Sequence, residues 1–143
     1  MMEQFKKRIV KKKYIALIQG RLNVGRGEIR SHVKDFDQKR FARKFRGKLA
    51  VTRYKVIEAR KFFSIVEVFP ITGRTNQIRI QFSEAGFPLV GDRKYAFARD
   101  FVLKFKRAAL HANQLEWFHP THHKWIKVTS PLPEDMAEFI SKN

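Results

Sequence analysis

Residues 50–86 read AVTRYKVIEARKFFSIVEVFPITGRTNQIRIQFSEAG, and the changes of pattern within this stretch decide the fold. The runs 49–61 and 62–71 are rich in Val, Ile, Phe and Tyr and meet at Arg60 and Lys61, which predicts an antiparallel pair of strands. From Thr75 the period lengthens. Ile78, Phe82 and Ala85 recur at spacings of four and three, and Gly86 stands where a helix C-terminus favours a left-handed residue. A short helix over 75–85 is expected.

Two arginines flank the start of this helix. If both lay on one helix, Arg74 and Arg79 would be about 140° apart, so they would have separate jobs. Arg79 borders the apolar stripe, where its stem can pack while its guanidinium reaches into a cleft. A guanidinium placed there needs a carboxylate or a phosphate, because a desolvated unpaired charge is costly.

Before this stretch, YIALIQG at 14–20 reads as a strand, and GRLNVGRGEIR at 20–30 as a hairpin or an inter-strand loop returning into a short strand. Residues 31–48 interleave cations and Phe without a period and predict an extended basic loop. Met2, Phe5 and Ile9 lie at helical spacing with no capping residue ahead of them. After it, 86–101 is turn-rich, 109–118 and 124–130 predict further strands, and PEDMAEFISKN at 133–143 predicts a helix opened by Pro133 and acidic residues. The expected fold class is α+β, a largely antiparallel mixed sheet with a few flanking helices, in a single domain over 1–143.

Lys and Arg number 31 against 13 Asp and Glu, a formal net charge of +18. Residues 1–61 hold 20 of those cations and 5 of the acids; residues 62–143 hold 11 and 8. Such a field favours a polyanion across the N-terminal half, nucleic acid before a membrane surface or an acidic protein. The candidate contacts are Lys11, Lys12, Lys13, Arg40, Arg43, Lys44 and Arg46. There is no Cys, hence no disulfide framework or thiol nucleophile, and no apolar run approaches the roughly 20 residues that span a bilayer. No secretory leader is recognisable at the start. A cytoplasmic protein without a membrane partner is expected. His119, His122 and His123 share a Pro-containing loop with no carboxylate or Cys at ligand spacing, so no metal site is expected. Gly91-Asp92 reads as ordinary turn chemistry.

KKKYIALIQG, AVTRYKVIEAR, FPITGRTNQIRIQF, GFPLVGDRKYAF, ALHANQLEWFHP and SPLPEDM together resemble, in order and spacing, the C-terminal two-thirds of the RluA-type RNA pseudouridine synthase catalytic domain. TGRTNQIR followed by GDRKY is the specific part of that likeness. The resemblance implies isomerisation of uridine to its C-glycoside in ribosomal or transfer RNA, on a flipped-out base and without a cofactor. It implies that Tyr14 stacks on the base and is a candidate for taking the proton from C5, that Arg79 pairs with the nucleophilic aspartate, and that Leu110 lines the pocket. Arg74, Thr75, Asn76 and Gln77 would complete the substrate contacts.

The family's His-Arg-Leu-Asp nucleophile motif does not occur in these 143 residues; in the family it precedes the first helix, upstream of Met1. GRLNVG is an echo in the wrong place, and Asn23 has no carboxylate. Asn76 stands where the family commonly has His, and Gln81 likewise departs from it. The expectation is a portion of a synthase that is inactive alone and depends on an aspartate-bearing N-terminal segment or chain. The alternative is a non-catalytic RNA-binding module, for instance within a ribosomal assembly. Arg79 is expected in a water-filled cleft near Tyr14 with no internal carboxylate partner, so that its replacement by Met would be nearly neutral for stability.

Overall fold

A computed structural model describes residues 10–34, 47–95 and 103–143. The N-terminal helix expected around Met2, Phe5 and Ile9, and the basic-loop cations Arg40, Arg43, Lys44 and Arg46, lie outside the described residues.

Six strands form one sheet: β1 (Lys11–Gln19), β2 (Gly25–Val33), β3 (Lys48–Ala59), β4 (Phe63–Pro70), β5 (Leu110–His119) and β6 (Lys124–Thr129). Their order is β2-β3-β4-β1-β5-β6, and every ladder among the described residues is antiparallel. Among the described residues two helices flank the sheet, α1 (Gln77–Glu84) and α2 (Glu134–Lys142). The class is α+β, as strands first paired and then mixed with a few helices predict.

The 49–61 and 62–71 runs do pair, as β3 and β4, with Tyr54 opposite Val68 and Val56 opposite Val66. The 14–30 segment resolves as an inter-strand loop rather than a hairpin. β1 enters the middle of the sheet, whereas β2 forms the edge beside β3. Alternation explains the difference. In β2 Arg26, Glu28, Arg30 and His32 are exposed while Gly27, Ile29, Ser31 and Val33 turn inward, the pattern of a strand covered on one side only. In β1, by contrast, Ala16, Leu17 and Ile18 are all fully buried. Ser31–Val33, expected in the basic loop, extend β2 instead.

That burial defines two faces. On the front, Ala16, Ile18, Val56, Val66 and Val68 pack against Ile78 and Phe82 of α1. On the back, Leu17 and Phe63 pack against Met136 and Phe139 of α2, with Phe63 edge-on to Phe139 at 5.2 Å between ring centres. Each of these large side chains gains about 1.5–3 kcal/mol from leaving water. β1 is therefore the layer shared by both halves of the core.

α1 begins two residues later than its apolar period suggests. Asn76 adopts φ 55°, a left-handed conformation that Asn tolerates better than most residues, so Arg74 and Thr75 sit in the turn and not on the helix. Ala85 is the C-cap, and Gly86 follows at φ 93°. The helix is also buried around most of its circumference, because Ile80 packs with Val33, Ala50 and Tyr95 on a side distinct from the Ile78–Phe82 stripe. α2 is latched by Arg107, whose Nε and one Nη donate to the two oxygens of Asp135, both at 3.0 Å. That hydrogen-bonded guanidinium holds the Asp135 carboxyl below its ordinary range.

A depressed carboxyl contributes stability above its unfolded pKa, about 3.9, and loses it as pH falls through the lower folded value. Acid unfolding followed by circular dichroism should show this loss below about pH 4, and Arg107→Ala should remove that part of the acid limb.

Candidate active-site cleft

Between the front of the sheet and the start of α1 lies a cleft of about 240 Å³ lined by Lys12, Tyr14, Thr72, Arg74, Asn76, Gln77, Arg79 and Leu110, among others. β1 supplies Lys12 and Tyr14, the first residue of β5 supplies Leu110, the turn into α1 supplies Thr72, Arg74 and Asn76, and the first turn of α1 supplies Gln77 and Arg79. Tyr14 faces this side because it shares its register row with Val68 and Ala112. A β-bulge between Lys13 and Tyr14 shifts the pairing with β5 at this point. Tyr14, Arg79 and Leu110, far apart in sequence, thus meet in one concavity. Thr75 is exposed beside it.

The turn 72–77 is braced from within. Gln77 is 4% exposed. Its Oε1 accepts from Thr72 Oγ1 at 2.6 Å and from the Arg74 amide at 3.0 Å. Its Nε2 donates to Val51 O at 3.0 Å and Thr52 Oγ1 at 2.7 Å. Gln77 therefore shapes the wall of the cleft through its backbone position while its amide ties α1 to β3. Gln81 does the same one turn on, donating to Ala50 O and Ser31 Oγ, both at 3.0 Å, and accepting from Thr52. Gln77 reads in the sequence as a substrate contact and Gln81 as a departure from the family pattern; the structure makes both interior fasteners, and a buried amide so committed is expensive to disturb. Arg74 Nε donates to Leu49 O at 3.0 Å.

Arg79 departs from expectation. Its Nε donates to Asp92 Oδ2 and one Nη to Asp92 Oδ1, both at 2.8 Å, a bidentate fork. The Asp92 side chain is fully buried and that of Arg79 is 26% exposed. The Tyr95 ring lies under the guanidinium at 4.9 Å, and Asn76 accepts from the remaining Nη at 3.5 Å. The expectation that Arg79 lacks an internal carboxylate partner is overturned, and with it the expected neutrality of Arg79→Met.

The cause is a backbone connection with no periodic signature. Residues 88–90 run beside β1, Gln19 N donating to Pro88 O and Val90 N to Leu17 O, each at 2.8 Å. Gly91 then turns at φ 80°, and a Cβ there would lie 2.0 Å from Arg107 O. Only glycine fits, and the turn delivers Asp92 over α1, where its carboxylate also accepts from the Tyr95 amide at 3.2 Å. Asp92 is the residue that the sequence reading missed. The signal was its place in GDRKY, one residue beyond a glycine that cannot be replaced.

Lys12 is the cleft's ammonium group, and burial pushes its pKa below the ordinary lysine range. Lys13 lies on the other face, 3.2 Å from Glu67. His119, His122 and His123 do not form a metal cluster among the described residues; His119 Nδ1 instead accepts from the Thr121 and His122 amides at 3.2 and 3.1 Å.

The family profile described as RNA pseudouridylate synthase matches residues 1–84. An uncharacterized RNA pseudouridine synthase of Bacillus subtilis is 37% identical over 144 residues, covering 98% of this chain and 46% of the relative. The ribosomal large subunit pseudouridine synthase D of Blochmanniella floridana is 34% identical over 156 residues, covering 99% and 49%. Among solved structures, human RNA Pseudouridylate Synthase Domain Containing 1 superposes with a TM-score of 0.71 at 25% identity, over 99% of this chain and 68% of that one. The chain belongs to the RNA pseudouridylate synthase family. It spans about half the length of these two curated relatives.

Removing one member of a buried ion pair typically costs about 3–5 kcal/mol. Arg79→Met should approach the lower end of that range, because it strands the Asp92 carboxylate but vacates a partly wet position. Asp92→Asn should cost less, since the amide can still accept one hydrogen bond. Urea unfolding of the three proteins checks the order; a neutral Arg79→Met would contradict the pairing.

Proposed function

We propose that the chain provides the base-holding cleft and much of the RNA-binding surface of an RNA pseudouridine synthase acting on ribosomal or transfer RNA, in a cytoplasmic setting. The observation that carries this reading is the convergence of Tyr14, Arg79 and Leu110 on one cleft in a chain of this family. In the isomerisation the N1–C1′ bond breaks and a C5–C1′ bond forms. The C5 proton leaves and N1 gains one, so no redox partner or cofactor is needed. Tyr14 covers the base and takes the C5 proton. Leu110 supplies apolar wall, and Lys12 meets the adjoining phosphate. Arg74, Thr75, Asn76 and Gln77 form the turn against which the nucleotide rests.

Nothing in these residues attacks the sugar. Asp92 is buried and already holds Arg79, and the sequence contains no His-Arg-Leu-Asp. Arg79 has five N–H donors, of which Asp92 engages two and Asn76 one; a second carboxylate brought from outside this sequence would reach the guanidinium by exchanging with contacts other than those to Asp92. That carboxylate is the nucleophile. The same pairing favours a second reading: with Arg79 already satisfied, the fold can persist as a non-catalytic RNA-binding module.

Mass spectrometry of bulk RNA incubated with the purified chain separates the two. No pseudouridine is expected from the chain alone. Joining a segment that carries His-Arg-Leu-Asp restores turnover in the first reading and leaves binding without turnover in the second. In the active form Tyr14→Phe should abolish product. Turnover by the chain alone would place the nucleophile within these 143 residues.

Binding is testable separately. If the basic half meets six to ten phosphates, affinity for RNA should fall about 10³- to 10⁵-fold between roughly 50 and 200 mM salt; a flat dependence would remove the electrostatic argument. Binding should also weaken at alkaline pH before an ordinary lysine discharges, because the lowered pKa of Lys12 loses the ammonium first, and Lys12→Arg should abolish that early loss.

A further inference from the structure

The back of the sheet, away from the cleft, carries a second feature. α2 covers the back only around Leu17 and Phe63. Beyond it the register rows place Arg26 beside Lys55 and Glu28 beside Arg53, then Lys55 beside Glu67 and Arg53 beside Phe69, all on the back because residues two apart share a face. A concavity of about 420 Å³ opens here, with Lys11, Arg26, Arg53, Phe69 and Ile71 among its lining residues.

Its chemistry is one-sided. The carboxylates of this part of the face are Glu28, which Arg53 and Arg30 approach at 3.3 and 3.6 Å, Glu67, which Lys13 holds at 3.2 Å, and Glu116, opposite Lys11 across the β1–β5 pair; the cations outnumber them. Arg26 and Lys55 stand directly opposite each other across the two strands, and neither forms an ion pair among the described residues. Like charges set opposite one another are unfavourable. The arrangement becomes favourable when an anion lies between them. Lys11 continues the line toward β6, its ammonium 5.0 Å from the Trp125 ring centre, and Trp125 is 49% exposed. Cations alternate with aromatic surface from Arg26 through Phe69 to Trp125.

From this we infer that the back of the sheet is a second nucleic-acid site, which takes a single-stranded segment of RNA, its phosphates along Arg26, Arg53 and Lys11 and an unstacked base in the concavity against Phe69. A cationic groove that follows the backbone, with aromatic side chains on which bases stack, is how single strands are held without sequence preference. A phosphate-only ligand would leave the apolar floor of the concavity unused. The concavity shares Lys12 and Pro70 with the front cleft, but Arg26, Arg53, Lys11 and Phe69, which carry the inference, are outside the set assigned to catalysis.

The test is fluorescence anisotropy of the whole chain with a labelled twelve-residue oligouridylate. The double variant Arg26→Glu with Arg53→Glu is compared with Lys61→Glu with Lys124→Glu, which makes the same change in charge at exposed positions outside the concavity. The back-face pair should lose at least about tenfold more affinity than the control pair, with the salt slope reduced by about 2, one per phosphate contact. Phe69→Leu should weaken oligouridylate several-fold and leave inorganic polyphosphate binding unchanged, since only the former offers a base to stack. Thermal melts verify that each variant is folded. Equal losses in the two charge-reversal pairs, or equal effects of Phe69→Leu on both ligands, would overturn the inference. So would a concentration-dependent dimer that Arg26→Glu with Arg53→Glu abolishes, which would assign the face to a second copy of the chain.

Discussion

The structure depends on burying β1 on both faces at once. Ala16 and Ile18 point into the core under α1, Leu17 into the core under α2, and none of the three retains any exposure. A strand in that position cannot tolerate polar side chains along its middle, which is why the segment reads as an unbroken apolar run. The polar ends of the same strand are then free to serve function. Lys12 and Tyr14 emerge toward the cleft while Lys11 and Lys13 emerge behind it.

Around this strand the polar interior is as specific as the apolar one. Gln77 and Gln81 fasten α1 to β3 with hydrogen bonds that none of their neighbours could replace, and the Arg79–Asp92 fork joins the helix to the turn after residues 88–90. Buried networks of this kind rigidify when complete and fail when one member is removed. The cleft is consequently a preformed concavity rather than a gap between loops. Its wall is set by groups whose hydrogen bonds run into the interior, and a guanidinium held by two hydrogen bonds to one carboxylate has little freedom to turn away from the next.

What was legible in the sequence follows from what periodicity records. β3, β4, the helix after them, β5, β6 and α2 were all readable from local composition and turn residues, and in β4 and α2 also from the alternation or stripe that a covered face leaves. Sheet order was not. The placement of β1 between β4 and β5 comes from long-range hydrogen bonds; its unbroken apolar run marks a strand covered on both faces but does not name its neighbours. In the site, family motifs led to Tyr14, Arg79 and Leu110, and the cleft unites them. Asp92 was passed over because a Gly-Asp pair has a sufficient local explanation as a turn, whereas its partner lies 13 residues earlier on another element. Gln77 was legible as polar but not as buried, since burial of a glutamine depends on the hydroxyls of Thr52 and Thr72 waiting on other elements.

The register shift opposite Lys13 and Tyr14, where Asn113 of β5 is the extra residue, bears on how such a chain can vary. Strand side chains change face at every residue, so inserting or deleting a single residue between Tyr14 and the apolar centre of β1 would send the tyrosine to the back of the sheet and a lysine into the cleft. On β5 the extra residue is looped out, and the parity beyond it is kept. Length changes at this row are therefore absorbed by β5 and not by β1. Lineages that carry this strand pair can alter β5 around Asn113 in steps of one residue, while β1 from Lys12 to Ile18 must change by substitution or in steps of two.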